Sequence, residues 1–161
     1  MDNPLKTPEQ LLPYRTLKEI LADRGGGVHA VGPTDTVLSA LQSMAEKHIG
    51  FLVVLDDGKL LGVLSERDYA RKVVLAGRAS HDTLVGDLMT REVVTVSPGD
   101  RFGDCMRLLD QHAIRHLPVV ESGKVVGVIS IRDLLAELVT HHERVIMALE
   151  RERMTMLQST A

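Results

Sequence analysis

The hydrophobic and polar positions follow the same pattern twice along the chain. After Pro33 the apolar residues recur at helical spacing and predict an amphipathic helix, and the same spacing follows Pro98. Each predicted helix leads into two short aliphatic runs joined by a turn that contains glycine, which is typical of a β-hairpin. These runs cover 51–55 and 60–64 in the first half and 117–120 and 125–129 in the second. We predict a further helix directly after each hairpin, beginning near Glu66 and near Ile131.

The repetition extends to the residues themselves. Positions 31–68 align without a gap with positions 96–133, and 13 of the 38 aligned pairs are identical, where about two or three would match by chance. Each half reads strand, helix, strand, strand, helix, which predicts an α+β fold with helices on one face of a small sheet. Because a unit of about sixty residues is marginal alone, we expect the two halves to pack sheet to sheet and to leave a cleft between them.

We divide the chain into four parts. Residues 1–15 form an N-terminal arm, 16–80 the first repeat, 81–140 the second repeat and 141–161 a C-terminal helical extension. Residues 1–14 hold three prolines without periodicity, so we expect the arm to be poorly ordered. The last helix carries an apolar stripe from Leu134 to Leu149 that outruns its own repeat. We expect a second copy of the chain, or the N-terminal arm, to cover that stripe.

Composition excludes several classes of function. The hydrophobic fraction of 44% supports a packed core. A net charge of −3, with no Trp, two Phe and two Tyr, offers neither the basic surface nor the stacking platforms of a nucleic-acid-binding protein. Neither a leader segment nor a spanning apolar stretch is found, so we expect a cytoplasmic protein without membrane contact. The single Cys105 lies in a helical pattern at the position equivalent to Ala40 of the first repeat, so we predict that it is a small packed residue.

The candidate chemistry lies at the two helix starts that follow the hairpins. Ser65-Glu66-Arg67-Asp68 and Ser130-Ile131-Arg132-Asp133 both fit a capping box, in which the serine and the acid satisfy the free amides of the first turn. Capping explains the serine and the aspartate but not the arginine, which meets the positive end of the helix dipole. An anionic ligand would resolve that conflict, since a phosphate suits a helix start beside an arginine and a carboxylate can accept hydrogen bonds from a ribose. Two interpretations therefore remain: a ligand site and a pair of helix caps.

Other reactive patterns are weak. His112 and His116 have the spacing of a helical zinc pair, but Ala113 stands where the glutamate of that motif belongs and Pro118 indicates a strand. No serine lies in a nucleophile elbow, and no carboxylate pair is set up as acid and base. We predict neither a metal site nor an enzyme.

Taken together, the motifs resemble those of a pair of cystathionine-β-synthase (CBS) domains, also called a Bateman module. The resemblance covers about residues 16–140 and rests on 62–68 and 127–133, on 85–90 with the valines that follow, and on Arg115-His116-Leu117-Pro118-Val119-Val120. It implies two β-α-β-β-α repeats related by a pseudo-two-fold axis and a homodimer of such pairs. It also implies a cleft that binds adenosine-containing ligands such as AMP, ADP, ATP, NAD(H) or S-adenosylmethionine.

The resemblance assigns roles to individual residues. Asp68 and Asp133 would hold ribose hydroxyls, and Ser65 and Ser130 would contact ribose or phosphate. The remaining ligand-binding residues that it implies are Arg67, Arg132, Arg115 and His116 toward phosphate, and Met89, Thr95, Val96, Ile114 and Pro118 around the base. Gly50, Phe51 and Val53 replace Arg115, His116 and Pro118 in the first repeat, so the two sites should not be equivalent.

These expectations define a function and one alternative. The first is a non-catalytic regulatory module for signal transduction that binds an adenine nucleotide and passes its state to an effector protein. The alternative is a structural homodimerisation module whose serines and aspartates only cap helices.

Overall fold

The computed structural model describes residues 12–25, 27–77 and 79–159. The first half contains α1 (Leu17–Arg24), β1 (Ala30–Val31), α2 (Val37–Lys47), β2 (Phe51–Asp56), β3 (Lys59–Ser65) and α3 (Glu66–Tyr69), which continues into a π-helical turn (Ala70–Val74). The second half contains α4 (Val85–Leu88), α5 (Phe102–Gln111), β4 (His116–Glu121), β5 (Lys124–Ser130) and α6 (Ile131–Ser159). The prediction of an α+β fold is confirmed, and both post-hairpin helices begin where the sequence places them.

Local details of the two halves match at equivalent positions. β2–β3 and β4–β5 are antiparallel hairpins in the same register, each with an irregularity at the same place, after Val54 and after Val119. Both hairpin turns place two consecutive residues at positive φ, Asp57-Gly58 and Ser122-Gly123. This conformation fits the right-handed twist of the strands and is the reason for the glycines. The duplication in the sequence is therefore a duplication of structure.

The first strand of the second repeat is reduced to a single bridge. In the first repeat β1 pairs with β2 in parallel, and the N–H of Val53 donates to the carbonyl of His29 at 3.1 Å. The equivalent of Val53 is Pro118, which has no N–H and cannot form that bond. Only Val96 still pairs with β4, by donating to the carbonyl of Pro118 at 3.0 Å and accepting from Val120 at 2.8 Å.

The two leading helices are exchanged between the repeats. Leu17 and Ile20 of α1 lie in the core of the second repeat, with Leu117, Ile129 and Leu134. Helix α4 contributes the equivalent residues, Val85 and Leu88, to the core of the first repeat. Each repeat is thus completed by a helix that precedes the other one. The two halves form one folded unit because neither core is whole without the other half.

Glycines permit this close approach. A Cβ added at Gly62 would lie 2.8 Å from both the sulfur of Met89 and the carbonyl oxygen of Thr90. At the equivalent Gly127 it would lie 2.6 Å from Cδ1 of Leu21. At both places glycine lets the incoming segment lie directly against the strand, and an added Cβ would have to displace a neighbour.

Helix α6 is 29 residues long, far longer than its first-repeat counterpart, as predicted. The segment 12–16 lies against its first half, where the ring of Tyr14 stacks between Phe102 and His141. The carbonyl of Leu12 also accepts a hydrogen bond from Nε2 of His141 at 2.7 Å. Residues 12–14 are therefore ordered, and the expectation of a poorly ordered arm is wrong for them because it considered periodicity and not the ring contacts. Residues 1–11 lie outside the described part of the chain.

Cys105 is buried in the core of the second repeat, as expected from its pattern. Burial raises the pKa of its thiol to about 11, so it remains protonated at neutral pH. Within the described residues, none of the helices combines the length and the apolar character needed to cross a bilayer.

Candidate functional site

The first helix start is a complete capping box. The carboxylate oxygen Oδ2 of Asp68 accepts hydrogen bonds from the backbone N–H of Ser65 at 3.1 Å and from its hydroxyl at 2.6 Å. The hydroxyl oxygen accepts in turn from the N–H of Asp68 at 3.2 Å. These bonds hold the carboxylate at the end of β3, directly above the first turn of α3. The local signal Ser-x-x-Asp is sufficient to produce this geometry.

A lysine occupies the other oxygen of the same carboxylate. Nζ of Lys72 lies 3.1 Å from Oδ1 of Asp68 and donates to the carbonyl of Leu88 at 3.0 Å and to the hydroxyl of Thr90 at 3.2 Å. Lys72 therefore links the first helix start to the end of α4 and the residues that follow it.

The second helix start repeats the capping box. Oδ2 of Asp133 accepts from the backbone N–H of Ser130 at 2.7 Å and from its hydroxyl at 2.5 Å. The same oxygen also accepts from Nη1 of Arg24 at 2.8 Å, and Nη1 donates to the carbonyl of Val128 at 2.8 Å as well. Arg24 is the last residue of α1, so the exchanged helix brings a cation to the second site.

Arg115 and His116 lie beside this second carboxylate. His116 is opposite Ser130 in the β4–β5 ladder, and the carbonyl of Arg115 accepts from the N–H of Ile131 at 2.8 Å. Burial lowers the pKa of His116, the Asp133 carboxylate opposes this, and the positive charges of Arg24 and Arg115 reinforce it. His116 is therefore neutral at physiological pH.

Phe51 and His116 meet at the boundary between the repeats. Their rings stack with centroids 4.5 Å apart and planes inclined by 14°. The two residues are equivalent in the duplication, so the pseudo-two-fold axis passes between them. The two helix starts lie on opposite sides of this stack.

The remaining residues of the predicted site fall into different surroundings. Nη1 of Arg67 donates to the carbonyl of Ala113 at 3.2 Å, which links α3 to the loop before Ile114. Met89 packs against Gly62. Arg132 and Thr95 are exposed, whereas Val96 and Pro118 are buried in the sheet of the second repeat and use their backbone groups there. Ile114 lines a shallow groove of about 370 Å³ with Ile131 and three residues of α5, namely Met106, Leu109 and Asp110.

The structure adds three residues to these clusters that the sequence did not indicate. Arg24 and Lys72 contact the two carboxylates, and Leu21 is the counterpart of Met89 over the opposite glycine. Residues 17–21 (Leu-Lys-Glu-Ile-Leu) and 85–89 (Val-Gly-Asp-Leu-Met) share an apolar pattern in the sequence, which could have paired Leu21 with Met89. No pattern pointed to Arg24, which lies 109 positions before the residue that it contacts. Among the described residues, no group of three or more His, Cys, Asp or Glu side chains is arranged to hold a metal ion.

Comparison with known protein families identifies the same two repeats in the chain. The family model of the CBS domain matches the chain twice, at residues 18–75 and 85–140. The chain belongs to the CBS-domain family. Its two matched segments coincide with the two structural repeats, and the CBS pair is the unit that carries both helix starts.

Similar proteins include both curated relatives and solved structures. The CBS domain-containing protein CBSX3, mitochondrial, of Arabidopsis thaliana is 40% identical over 113 residues, which cover 67% of this chain and 55% of that protein. A solved CBS-domain protein of Burkholderia ambifaria, named for signal transduction, is 43% identical with a TM-score of 0.75 and covers 78% of this chain and 95% of its own. A hexameric CBS-CP12 protein of bloom-forming cyanobacteria is 27% identical with a TM-score of 0.67, over 76% of this chain and 71% of that one. The chain thus spans about half the length of the Arabidopsis protein.

Proposed function

We propose that this CBS pair is a non-catalytic regulatory module that binds an adenosine-containing ligand, AMP, ADP, ATP or NAD(H), between its repeats. The observation that supports this most directly is the pair of equivalent carboxylates, Asp68 and Asp133, each held by its capping serine and each in contact with a cation. A carboxylate fixed in this way can accept hydrogen bonds from a vicinal diol. The surrounding basic side chains suit phosphate.

The roles that the family resemblance implies for the other residues are part of this proposal. Ser65 and Ser130 lie next to the ribose carboxylates. Arg67, Arg132, Arg115 and His116 supply donors for phosphate oxygens, and Met89, Thr95, Val96, Ile114 and Pro118 provide the surroundings of the base. A neutral His116 can donate one hydrogen bond to a phosphate without a charge of its own.

The test is titration calorimetry of the full chain with AMP, ADP, ATP and NADH, repeated with Asp133→Ala. The matched control is Asp100→Ala, since Asp100 accepts from the N–H of Ser97 at 2.8 Å in a turn away from the helix start. Both variants lose a local backbone hydrogen bond and should lose about 1 kcal/mol of stability. Only Asp133→Ala should weaken ligand binding. In thermal shift, a ligand at 100 times its dissociation constant should add about 2.7 kcal/mol to the intact protein.

A structural homodimerisation module is the second candidate, and one observation favours it. Both capping boxes are complete within the chain, since the serine and aspartate side chains satisfy each other and the first-turn amides. If none of the four ligands binds and Asp133→Ala behaves like Asp100→Ala in every assay, the aspartates are caps only.

We also propose that the module is a homodimer through α6. Its exposed apolar residues Leu135, Val139, Ile146 and Leu149, with His142 between them, are spaced alternately by four and three positions. This is the spacing of a coiled-coil seam, and it lies beside the stripe of α6 that packs on the molecule's own core. A second copy supplies an identical seam by two-fold symmetry, so a ligand that shifts α6 can act on an effector protein through the dimer.

A further inference from the structure

The two carboxylates differ in the oxygens that they leave open. At Asp68, Oδ2 accepts from Ser65 and Oδ1 faces Lys72. Oδ2 of Asp133 accepts three hydrogen bonds, from the N–H and the hydroxyl of Ser130 and from Nη1 of Arg24. No hydrogen bond to Oδ1 of Asp133 is found among the described residues. A carboxylate oxygen with free lone pairs can accept a ribose hydroxyl without breaking an existing bond. The second site therefore offers a carboxylate oxygen with both lone pairs open, whereas the equivalent oxygen of the first site is shared with Lys72.

The cations at the two carboxylates differ in how many hydrogen-bond donors they leave unused. Lys72 has three N–H donors and three oxygen neighbours, namely Asp68, Leu88 and Thr90. Arg24 has five donors and uses Nη1 for both of its contacts, with Asp133 and Val128. Within the described part of the chain, its Nε and Nη2 have no recorded hydrogen bond, and its side chain is 44% exposed. Arg24 can thus hold Asp133 and still present donors to a second anion.

The charge around the two helix starts is also unequal. The second site combines Arg24, Arg115 and Arg132 with Asp133, a formal charge of +2 when His116 is neutral. In the first site Gly50 is the equivalent of Arg115, and a Cβ built at Gly50 would lie 2.6 Å from Oε2 of Glu66. The carboxylate of Glu66 therefore occupies the space that the Arg115 side chain has in the second site. Counted in the same way, the first site has Arg67 and Lys72 against Glu66 and Asp68, a formal charge of zero.

We infer that Arg24 is a specificity-determining residue of the second site, which makes that site select adenosyl ligands with a chain of phosphate groups over the uncharged nucleoside. This inference rests on the proposed adenosine binding and assigns the charged ligand to the Asp133 side. Arg24 holds Oδ2 of Asp133 in place through their 2.8 Å contact, the ribose takes Oδ1, and the free edge of the guanidinium binds phosphate oxygens. A planar guanidinium suits two phosphate oxygens at once, which an ammonium group does not.

The test compares ATP with adenosine by titration calorimetry. All proteins carry Asp68→Ala, so that only the second site is measured. In this background ATP should bind at least about tenfold more tightly than adenosine. Arg24→Gln should reduce that preference by about tenfold, which corresponds to about 1.4 kcal/mol, with little change for adenosine. Arg24→Lys should retain part of the preference because it keeps the charge without the planar fork.

The control is Lys18→Gln, which removes the same charge from an exposed position of the same helix. It should leave the ATP preference unchanged. Equal affinities for ATP and adenosine, or an Arg24→Gln variant that weakens both alike, would overturn the role of Arg24 while adenosine binding itself stands. If neither compound binds the protein with Asp68 intact, the proposed function fails as well.

Discussion

Gly62 and Gly127 occupy equivalent places in β3 and β5, and each lies under a segment that crosses from the other repeat. The obstacle to a side chain differs between them. At Gly62 the close atoms include the backbone carbonyl of Thr90. This carbonyl accepts from the N–H of Val63, and the N–H of Thr90 donates to the carbonyl of Val63. At Gly127 the close atoms all belong to the flexible side chain of Leu21. The two equivalent glycines therefore differ in how well they tolerate an added side chain, because the backbone of Thr90 cannot move aside without breaking hydrogen bonds.

We predict that Gly62→Ala destabilises the protein more than Gly127→Ala. The first should cost about 2–3 kcal/mol, since a paired backbone must shift, and the second about 1 kcal/mol, since Leu21 can change rotamer. Urea unfolding followed by circular dichroism measures both. Equal losses would contradict the assignment of Thr90 as the rigid neighbour, and Gly58→Ala, in an open turn at φ 76°, provides a strain reference without a steric contact.

At the scale of elements, α1 and the segment before it are both held to α6. Arg24 contacts Asp133, and Nε of Arg15 donates to Oε2 of Glu137 at 2.7 Å. Asp133 and Glu137 are one turn apart on α6, so both contacts lie along one edge of that helix. The Glu137 side chain is fully buried, and Arg144 donates to its other oxygen at 2.9 Å. A buried carboxylate without a cationic partner is strongly destabilising, so the stability of this region depends on both arginines.

Removing these partners tests how α1 and the segment 12–16 are held. Arg15→Ala should cost about 2 kcal/mol, because Arg144 still pairs with the buried carboxylate. The double variant with Arg144→Ala should cost about 3–5 kcal/mol, because Glu137 is then buried without a cation. Urea unfolding gives both values. A double variant that costs no more than the single one would show that water reaches Glu137.

At the scale of the whole molecule, the apolar surface of α6 is divided between two neighbours. One stripe, which includes Leu134 and His141, is buried, with Leu134 in the core of the second repeat and His141 against Tyr14. The adjacent stripe, from Leu135 to Leu149, is exposed in the single chain. Residues 12–15 of the arm contact the first stripe at Glu137 and His141. The second stripe is the surface that we assign to the dimer.

We predict that Ile146→Glu dissociates the dimer. Ile146 lies in the middle of the exposed stripe, so loss of its buried surface and the burial of a charge should raise the dissociation constant by at least about 30-fold, or about 2 kcal/mol. Sedimentation equilibrium of the wild-type and variant proteins measures this. Thr140→Glu, on an exposed position away from the stripe, should remain dimeric. A wild-type mass equal to that of one chain would rule out the α6 interface.

Local sequence patterns were enough to predict the repeated hairpins, their glycine-containing turns and the capping boxes at Ser65 and Ser130. Each of these depends on residues within a few positions of one another, so the energetic preference is contained in the motif. The order of elements and the family resemblance followed from the same patterns. The unequal ligand residues of the two repeats were also visible, because the duplication allows Arg115 and Gly50 to be compared directly.

The tertiary structure decided which repeat each leading helix completes and which cation meets each carboxylate. Leu17 and Ile20 have the apolar character of a core helix, but that character does not specify whose core they enter. Arg24 reaches Asp133 only because α1 crosses to the second repeat and Gly127 lets it approach. Contacts between residues so far apart depend on how complete surfaces fit, since burial of apolar area has no direction of its own.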